Sequence, residues 1–266
     1  MTTEHLIAER HDGVLNLTLN QPDKLNALSD QMLAGLLEEL GRAAHDTEVR
    51  CVVLTGAGRG FCAGGDISRM RDRNEGAAPQ TVDQRMAGLR RSEEVSLLLH
   101  ELPKPTIAAI NGPAAGAGLS IALACDLRIA ADSARLITAF ARVGFSGDFG
   151  GTWSMTRLVG PARAKEFYFL ADPIDPNQAL ALGLVNRVVP AASLMAEAGA
   201  LAKRIAAGPA VAYGFMKANI NAALTSDLRT LLDREAVGQT LTGLTEDHKE
   251  AVKAFLEKRP PTFKGR

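Results

Sequence analysis

The sequence predicts an α/β fold followed by a helical C-terminal region. Three observations carry this prediction. Short apolar runs rich in β-branched residues recur at 14–19, 51–54, 105–110 and 127–130. Most are followed by a turn of small or turn-forming residues and then by a stretch with helical periodicity, the pattern of a largely parallel sheet with crossover helices. After about Pro161 the periodicity is helical almost throughout, broken only by the short apolar run Leu184–Val189. The chain therefore divides into an α/β core at 1–190, which carries the site, and a helical region at 191–266.

In order, Val14–Leu19 alternates, with Leu15, Leu17 and Leu19 on one face and Asn16 and Thr18 on the other, which predicts a half-buried strand. Asn20-Gln21-Pro22-Asp23 ends it. From Ser29, a candidate N-cap, the residues Met32, Leu33, Leu36, Leu37 and Leu40 form a helical stripe. Cys51–Leu54 is continuously apolar, as expected of a strand covered on both faces, so strand, helix and strand form a parallel crossover. A glycine-rich bend runs from Thr55 to Asp66, and the polar stretch 71–80 reads as a loop. A helix is predicted over about 81–101. Strand-like runs at 105–110 and 127–130 flank a second small-residue bend, Gly112 to Leu119. The remaining helices are expected near 162–170, 177–182, 192–207, 209–223, 227–240 and 245–257.

Composition bounds the function. The chain has 266 residues, enough for a sizeable core. Its 30 basic and 30 acidic residues balance, so no overall field draws it to nucleic acid or an anionic membrane. The sequence lacks the run of about 18 apolar residues that a membrane span needs, and its first residues lack the apolar stretch of a signal peptide. Cys51, Cys62 and Cys125 are too few and too scattered for a disulfide framework. These features predict a cytoplasmic protein.

Several common chemistries fail at the level of spacing. Phe61 interrupts the first glycine series and the second also misses G-x-G-x-x-G, so a dinucleotide fingerprint is absent. The five histidines and three cysteines show no metal-ligand spacing, and none is expected to hold a metal. Gly144-Phe145-Ser146-Gly147-Asp148 ends in Asp where a nucleophile elbow requires Gly. What remains is the pair of Gly/Ala bends, each after a buried strand and before a helix. Such bends expose backbone N–H groups, and two side by side can converge on one developing oxyanion. Taken alone, each bend reads first as tight helix–strand packing.

The sequence resembles the crotonase (enoyl-CoA hydratase/isomerase) family. The resemblance lies in Leu19-Asn20-Gln21-Pro22 with Asn26-Ala27-Leu28, Phe61-Cys62-Ala63-Gly64-Gly65-Asp66-Ile67, Lys104–Gly112, and Ala114–Leu119. Ala124-Cys125-Asp126, Gly150-Gly151-Thr152 and Ala179 with Leu182–Val185 extend it over nearly the whole chain in the family's order. It implies a crotonase-like spiral of ββα units with a helical C-terminal region that builds a homotrimer or a dimer of trimers. It implies an acyl-CoA substrate and an oxyanion held by the backbone N–H groups of Ala63 and Ala117. Coenzyme A, carried by the substrate, would lie against Lys24, Leu25, Ala27, Ala63, Asp66 and Ile67, and no separate cofactor is expected. Lys24 either pairs with a phosphate or is a solvated loop lysine. Phe263 and Lys264 match a tail that in relatives reaches the nucleotide end of coenzyme A on a neighbouring subunit; a frayed basic end is the alternative.

Hydration in this family uses two glutamates on one water, and the matching positions here hold Ser120 and Phe140. Neither acts as a base at neutral pH. Asp148 is the remaining carboxylate, in a stretch with Phe140, Phe145, Phe149 and Trp153. It reads either as a proton shuttle whose pKa is raised by apolar neighbours or as an N-cap for a helix starting near Gly151. Ser120 reads as a hydroxyl bonded to the preceding helical turn, and Cys62 as a small buried hydrophobe. The expected reaction is enoyl-CoA isomerisation. Hydration or another enolate reaction such as hydrolysis or decarboxylation, and a coenzyme A-binding protein without catalysis, are the alternatives.

Overall fold

The computed structural model describes residues 4–66, 71 and 80–266. The polar stretch 71–80 therefore lies largely outside the described residues, as does Ile67. Among the described residues, strands β1 (Leu6–His11), β2 (Val14–Leu19), β3 (Cys51–Gly56), β4 (Thr106–Ile110), β6 (Leu127–Ala131) and β8 (Arg187–Val189) form one sheet in the order β1-β2-β3-β4-β6-β8. β1 pairs antiparallel with β2, and the other neighbours are parallel. β5 (Pro113–Ala115) and β7 (Arg135–Ile137) form a second, short parallel sheet. Successive strands thus alternate between two sheets, β4 then β5 and β6 then β7, which is the ββα pattern expected.

Period-2 patterning decides which side chain goes to which layer. Val52 and Leu54 of β3, with Ala108 and Ile110 of β4, enter one buried cluster together with Leu15, Leu17 and Leu19. Helix α1 (Asp30–His45) closes that side with Met32, Leu36 and Leu40, and the Ser29 hydroxyl caps it by accepting from the Met32 N–H. The alternate residues Cys51, Val53, Ile107, Ala109 and Ile129 face the other way. Helix α6 (Leu194–Ala206) covers them with Leu194, Ala198, Ala202 and Ala206, at four-residue spacing. The helical region is thus not separate from the sheet. Each fully buried leucine of this kind contributes about 1.5–3 kcal/mol.

Helices α2 (Val82–Glu101), α3 (Ala117–Ala124) and α4 (Gly151–Leu170) frame the site. α4 begins earlier than the sequence expectation of 162, because it runs through Gly160 and Pro161 with a break at Gly160, φ 78°. Helix α5 (Pro176–Ala181) precedes β8, and α7 (Ala210–Ala223), α8 (Leu228–Gly243) and α9 (Glu246–Leu256) follow α6. The ion pair of buried Lys217 on α7 with Asp126 ties α7 to the end of β6, at 2.8 Å. Among the described residues no helix is long and apolar enough to cross a membrane.

Candidate active site

The two small-residue bends meet. Cys62 and Ala114 form a parallel bridge, with the Ala115 N–H donating to Cys62 O at 2.9 Å and the Cys62 N–H to Pro113 O at 3.2 Å. A Cβ on Gly64 would lie 2.6 Å from Ala115 O and 3.2 Å from the Ala117 nitrogen, so only glycine lets the chains approach this closely. Ala117 is the first residue of α3, and all eight residues of that helix are buried. Its N–H belongs to a first turn, which has no acceptor within its own helix, and it faces the positive end of the helix dipole.

At Ala63 the structure departs from the sequence expectation. The Ala63 N–H donates to Leu25 O at 2.9 Å, so it is already engaged. The Gly64 N–H acts on the Cys62 sulfur, opposing the effect of burial on its thiol. The next amide, that of Gly65, makes no hydrogen bond among the described residues, and neither does that of Ala117. The unengaged pair flanking the junction of the bends is therefore Gly65 and Ala117.

Two asparagines shape the approach to this point. Buried Asn26 donates to Ala57 O and Gly60 O and accepts from the Gln21 N–H, and Asn111 donates to Gly56 O, Gly58 O and Gly60 O. The same loop brings Lys24, Leu25 and Ala27 against the first bend: Leu28 bridges Gly65, and Lys24 Nζ lies 3.0 Å from Asp66 Oδ2. Lys24 is thus an exposed loop lysine paired with Asp66. Cys62 donates to Asn26 O, and burial pushes its thiol up to about 12, which removes it as a nucleophile.

Phe263 and Lys264 are not brought to this place within the chain. Arg50, ahead of β3 and so at the other end of the strand from the bend, donates to Phe263 O and Lys264 O, both at 3.1 Å. Asp247, 3% exposed, accepts the Lys264 and Gly265 N–H groups at 2.6 and 2.9 Å. The tail is tied down, not frayed.

The positions matching the two glutamates lie together. Phe140 is buried and stacks on Tyr168 with ring centroids 5.8 Å apart. The Tyr168 hydroxyl is in hydrogen-bond contact with Ser120, whose own hydroxyl donates to Gly116 O at 3.2 Å, as expected of a helical serine. Gly151 packs so tightly here that a Cβ on it would sit 2.2 Å from Ser120 Oγ. An aromatic pair and a hydroxyl fill the place.

Asp148 stands on the adjoining turn, between Gly147, against Tyr168, and Gly151. It does not cap α4: the N-cap is Gly150, with no side-chain cap bond, and the Gly151 N–H donates to the Asp148 main-chain carbonyl. Its Oδ1 is buried and makes no hydrogen bond among the described residues. Burial, and then the negative charge of Glu93, raise its pKa from 3.8 to about 6. Phe149 adds to the apolar wall at 4% exposed, whereas Phe145 and Trp153 are 54% and 38% exposed, so two of the four aromatic neighbours expected there do not enclose it. Glu93 on α2, not anticipated from sequence, accepts the Phe149 N–H at 3.2 Å. It also lines a cavity of about 720 Å³ with Ser96, Phe149 and Trp153, and the Ser96 hydroxyl is buried there without a hydrogen-bond partner. Among the described residues no group of three or more His, Cys, Asp and Glu side chains is placed to hold a metal ion.

The geometry can therefore hold a developing oxyanion with main-chain donors and move a proton with one buried carboxyl. The profile of the enoyl-CoA hydratase/isomerase family matches residues 9–266. A 1,2-epoxyphenylacetyl-CoA isomerase of Escherichia coli is 41% identical over 263 residues, covering 99% of each chain. A short-chain-enoyl-CoA hydratase of Clostridium acetobutylicum is 39% identical over 97% of each. The crystal structure of an enoyl-CoA hydratase from Bacillus anthracis superposes with a TM-score of 0.91 at 33% identity, covering 98% of this chain and 100% of that one.

Proposed function

Because the chain belongs to the enoyl-CoA hydratase/isomerase family, we propose that it is an acyl-CoA enzyme that shifts a carbon–carbon double bond, with Asp148 as the proton shuttle. The thioester oxygen sits between the N–H groups of Gly65 and Ala117. Asp148 Oδ1 removes a proton from one carbon, negative charge spreads onto the thioester oxygen as a dienolate, and the same carboxyl returns the proton two carbons away. The step is redox-neutral and consumes nothing, so it calls for no cofactor beyond the coenzyme A carried by the substrate. The coenzyme lies along Lys24, Leu25, Ala27, Ala63 and Asp66, with the Lys24–Asp66 pair at the nucleotide end.

The observation that carries this reading is the buried, unengaged Oδ1 of Asp148, three residues before Gly151, which packs on Ser120 of the helix that bears Ala117. A carboxyl raised to about 6 is well matched to both taking and giving a proton near neutral pH. Hydration needs a base to deprotonate water, and the positions matching its glutamates hold Ser120 and Phe140, the latter packed on Tyr168. The name of the 41%-identical relative, an isomerase acting on a coenzyme A thioester, supports the same choice.

Assembly belongs to this proposal. Met216 and Ile220 on α7, Leu224 just after it, and Leu228, Leu232 and Val237 on α8 are at least half exposed in one chain. Burying them against further copies, in a homotrimer or a dimer of trimers, removes that apolar surface from water.

The test is Asp148→Asn assayed for double-bond migration on a panel of 2- and 3-enoyl-CoA thioesters. Positioned general acid–base groups contribute about 10²–10⁴-fold, and a loss of that size is expected. Turnover equal to the unaltered enzyme removes Asp148 from the mechanism.

A further inference from the structure

We propose that Glu93 is a positioning residue of this site: its carboxylate accepts the Phe149 N–H and so holds the turn that presents the proton shuttle. The proposal rests on the isomerase reading for what Asp148 does, and on the geometry below for how it is held.

The turn does not hold itself. Gly147, Phe149 and Gly150 all have positive φ, at 112°, 50° and 70°. For Phe149, which is not glycine, that conformation persists only where the surroundings over-determine it. Its ring is buried, and its N–H needs an acceptor. Asp148 does not supply one, since its carbonyl accepts from Gly151 and its side chain makes no cap. Glu93, 56 residues earlier on α2, supplies it at 3.2 Å. The contact pins the peptide bond next to Asp148 to a rigid helix.

A second observation points the same way. The negative charge of Glu93, whose carboxylate accepts the N–H next to Asp148, adds to burial in raising the Asp148 carboxyl. From α4 the titratable neighbour is the Tyr168 hydroxyl, and on α2 Arg90 is drawn away to Glu94 at 2.6 Å. Like charges in proximity favour leaving one carboxyl protonated. Glu93 touches no reacting atom in this scheme. It acts through Asp148.

The experiment compares Glu93→Ala and Glu93→Gln in the full chain, reading kcat and KM on the enoyl-CoA panel. In parallel, ¹³C-carboxyl NMR follows the titration of Asp148, its resonance assigned with Asp148→Asn. Glu93→Ala is expected to lower kcat at least about tenfold with KM within about threefold, a loss in the chemical step rather than in binding. Glu93→Gln keeps an oxygen acceptor for the Phe149 N–H, so its kcat stays within about threefold. With the Glu93 charge gone, its Asp148 midpoint and the acid limb of its pH–rate profile move down. Unaltered kcat in Glu93→Ala, equal impairment of both variants, or an unmoved Asp148 midpoint in Glu93→Gln overturns the proposal. If Glu93→Ala does not fold, the Glu93→Gln titration decides alone. If Asp148→Asn retains full turnover the isomerase reading fails, while a lowered midpoint in Glu93→Gln still supports the carboxyl pair.

Discussion

The junction of the two bends and the turn at 147–150 both force the backbone off the common path, but they are held in different ways. The bends lock to each other through main-chain bonds such as Ala115 N–H to Cys62 O, and through contacts too close for any Cβ. The turn at Asp148 depends on one distant side chain, Glu93, and on a buried phenylalanine held at positive φ. The bends are thus held by rigid main chain. The buried carboxyl of Asp148 sits instead on a turn whose electrostatics side chains set.

The largest effect that tests this contrast comes from the bends. Ala117 is the first residue of α3, a position where proline is tolerated, so Ala117→Pro deletes one N–H with little change in fold. Losing one oxyanion donor costs about 10²–10³ in kcat, roughly 2.7–4 kcal/mol, and that loss is expected with a near-unchanged Tm. A kcat within tenfold of the parent means this amide holds no oxyanion.

Next comes a pH effect at the turn. A carboxyl whose pKa is raised in the folded state binds its proton more tightly there than when unfolded. Its stabilising contribution is complete below the ordinary value of 3.8 and is lost as pH climbs to about 6. The whole shift corresponds to roughly 3 kcal/mol at most, less with partial solvent access. Asp148→Asn should therefore be more thermostable than the parent at pH 8, with the gap closing below about pH 4. A gap of equal size at both pH values, measured by thermal melts, contradicts the buried-carboxyl description.

The smallest effects compare two glycines directly. A Cβ at Gly118 would meet Cys62 O at 2.3 Å, main chain that cannot yield without opening the paired bends. At Gly147 it would meet Tyr168 Cε1 at 3.0 Å, a side chain that can shift, although φ of 112° adds strain. Both alanine variants are expected to lose roughly 1–3 kcal/mol, with Gly118→Ala at the upper end and losing activity as well. Equal denaturation midpoints for the two remove the distinction between main-chain and side-chain support.

Much of the fold was legible in the sequence because its periodicities are clean. The alternation of Leu15, Leu17 and Leu19 and the stripe of α1 appear as read, as does the cap at Ser29. β1 escaped notice because Glu9, Arg10 and His11 stand where an apolar alternation would mark a strand, as suits a sheet edge. β5 and β7 are three residues each, too short to show a period. At the site, the bends were visible as composition, but the choice between neighbouring amides was not. Which N–H is left over depends on Leu25 O and the Cys62 sulfur, partners set by the tertiary path. Glu93 was invisible for a similar reason. Its helix carries several carboxylates, and only folding brings this one to Phe149.

The stacked Phe140 and Tyr168, with Ser120 beneath, also constrain what this scaffold can become. A glutamate at 120 crowds the Gly151 backbone and the tyrosine, and one at 140 trades a buried, stacked ring for a charge. Placing carboxylates at both positions therefore calls for coordinated changes around them and not for two single exchanges. Either exchange made alone would be less well packed than the side chains now there.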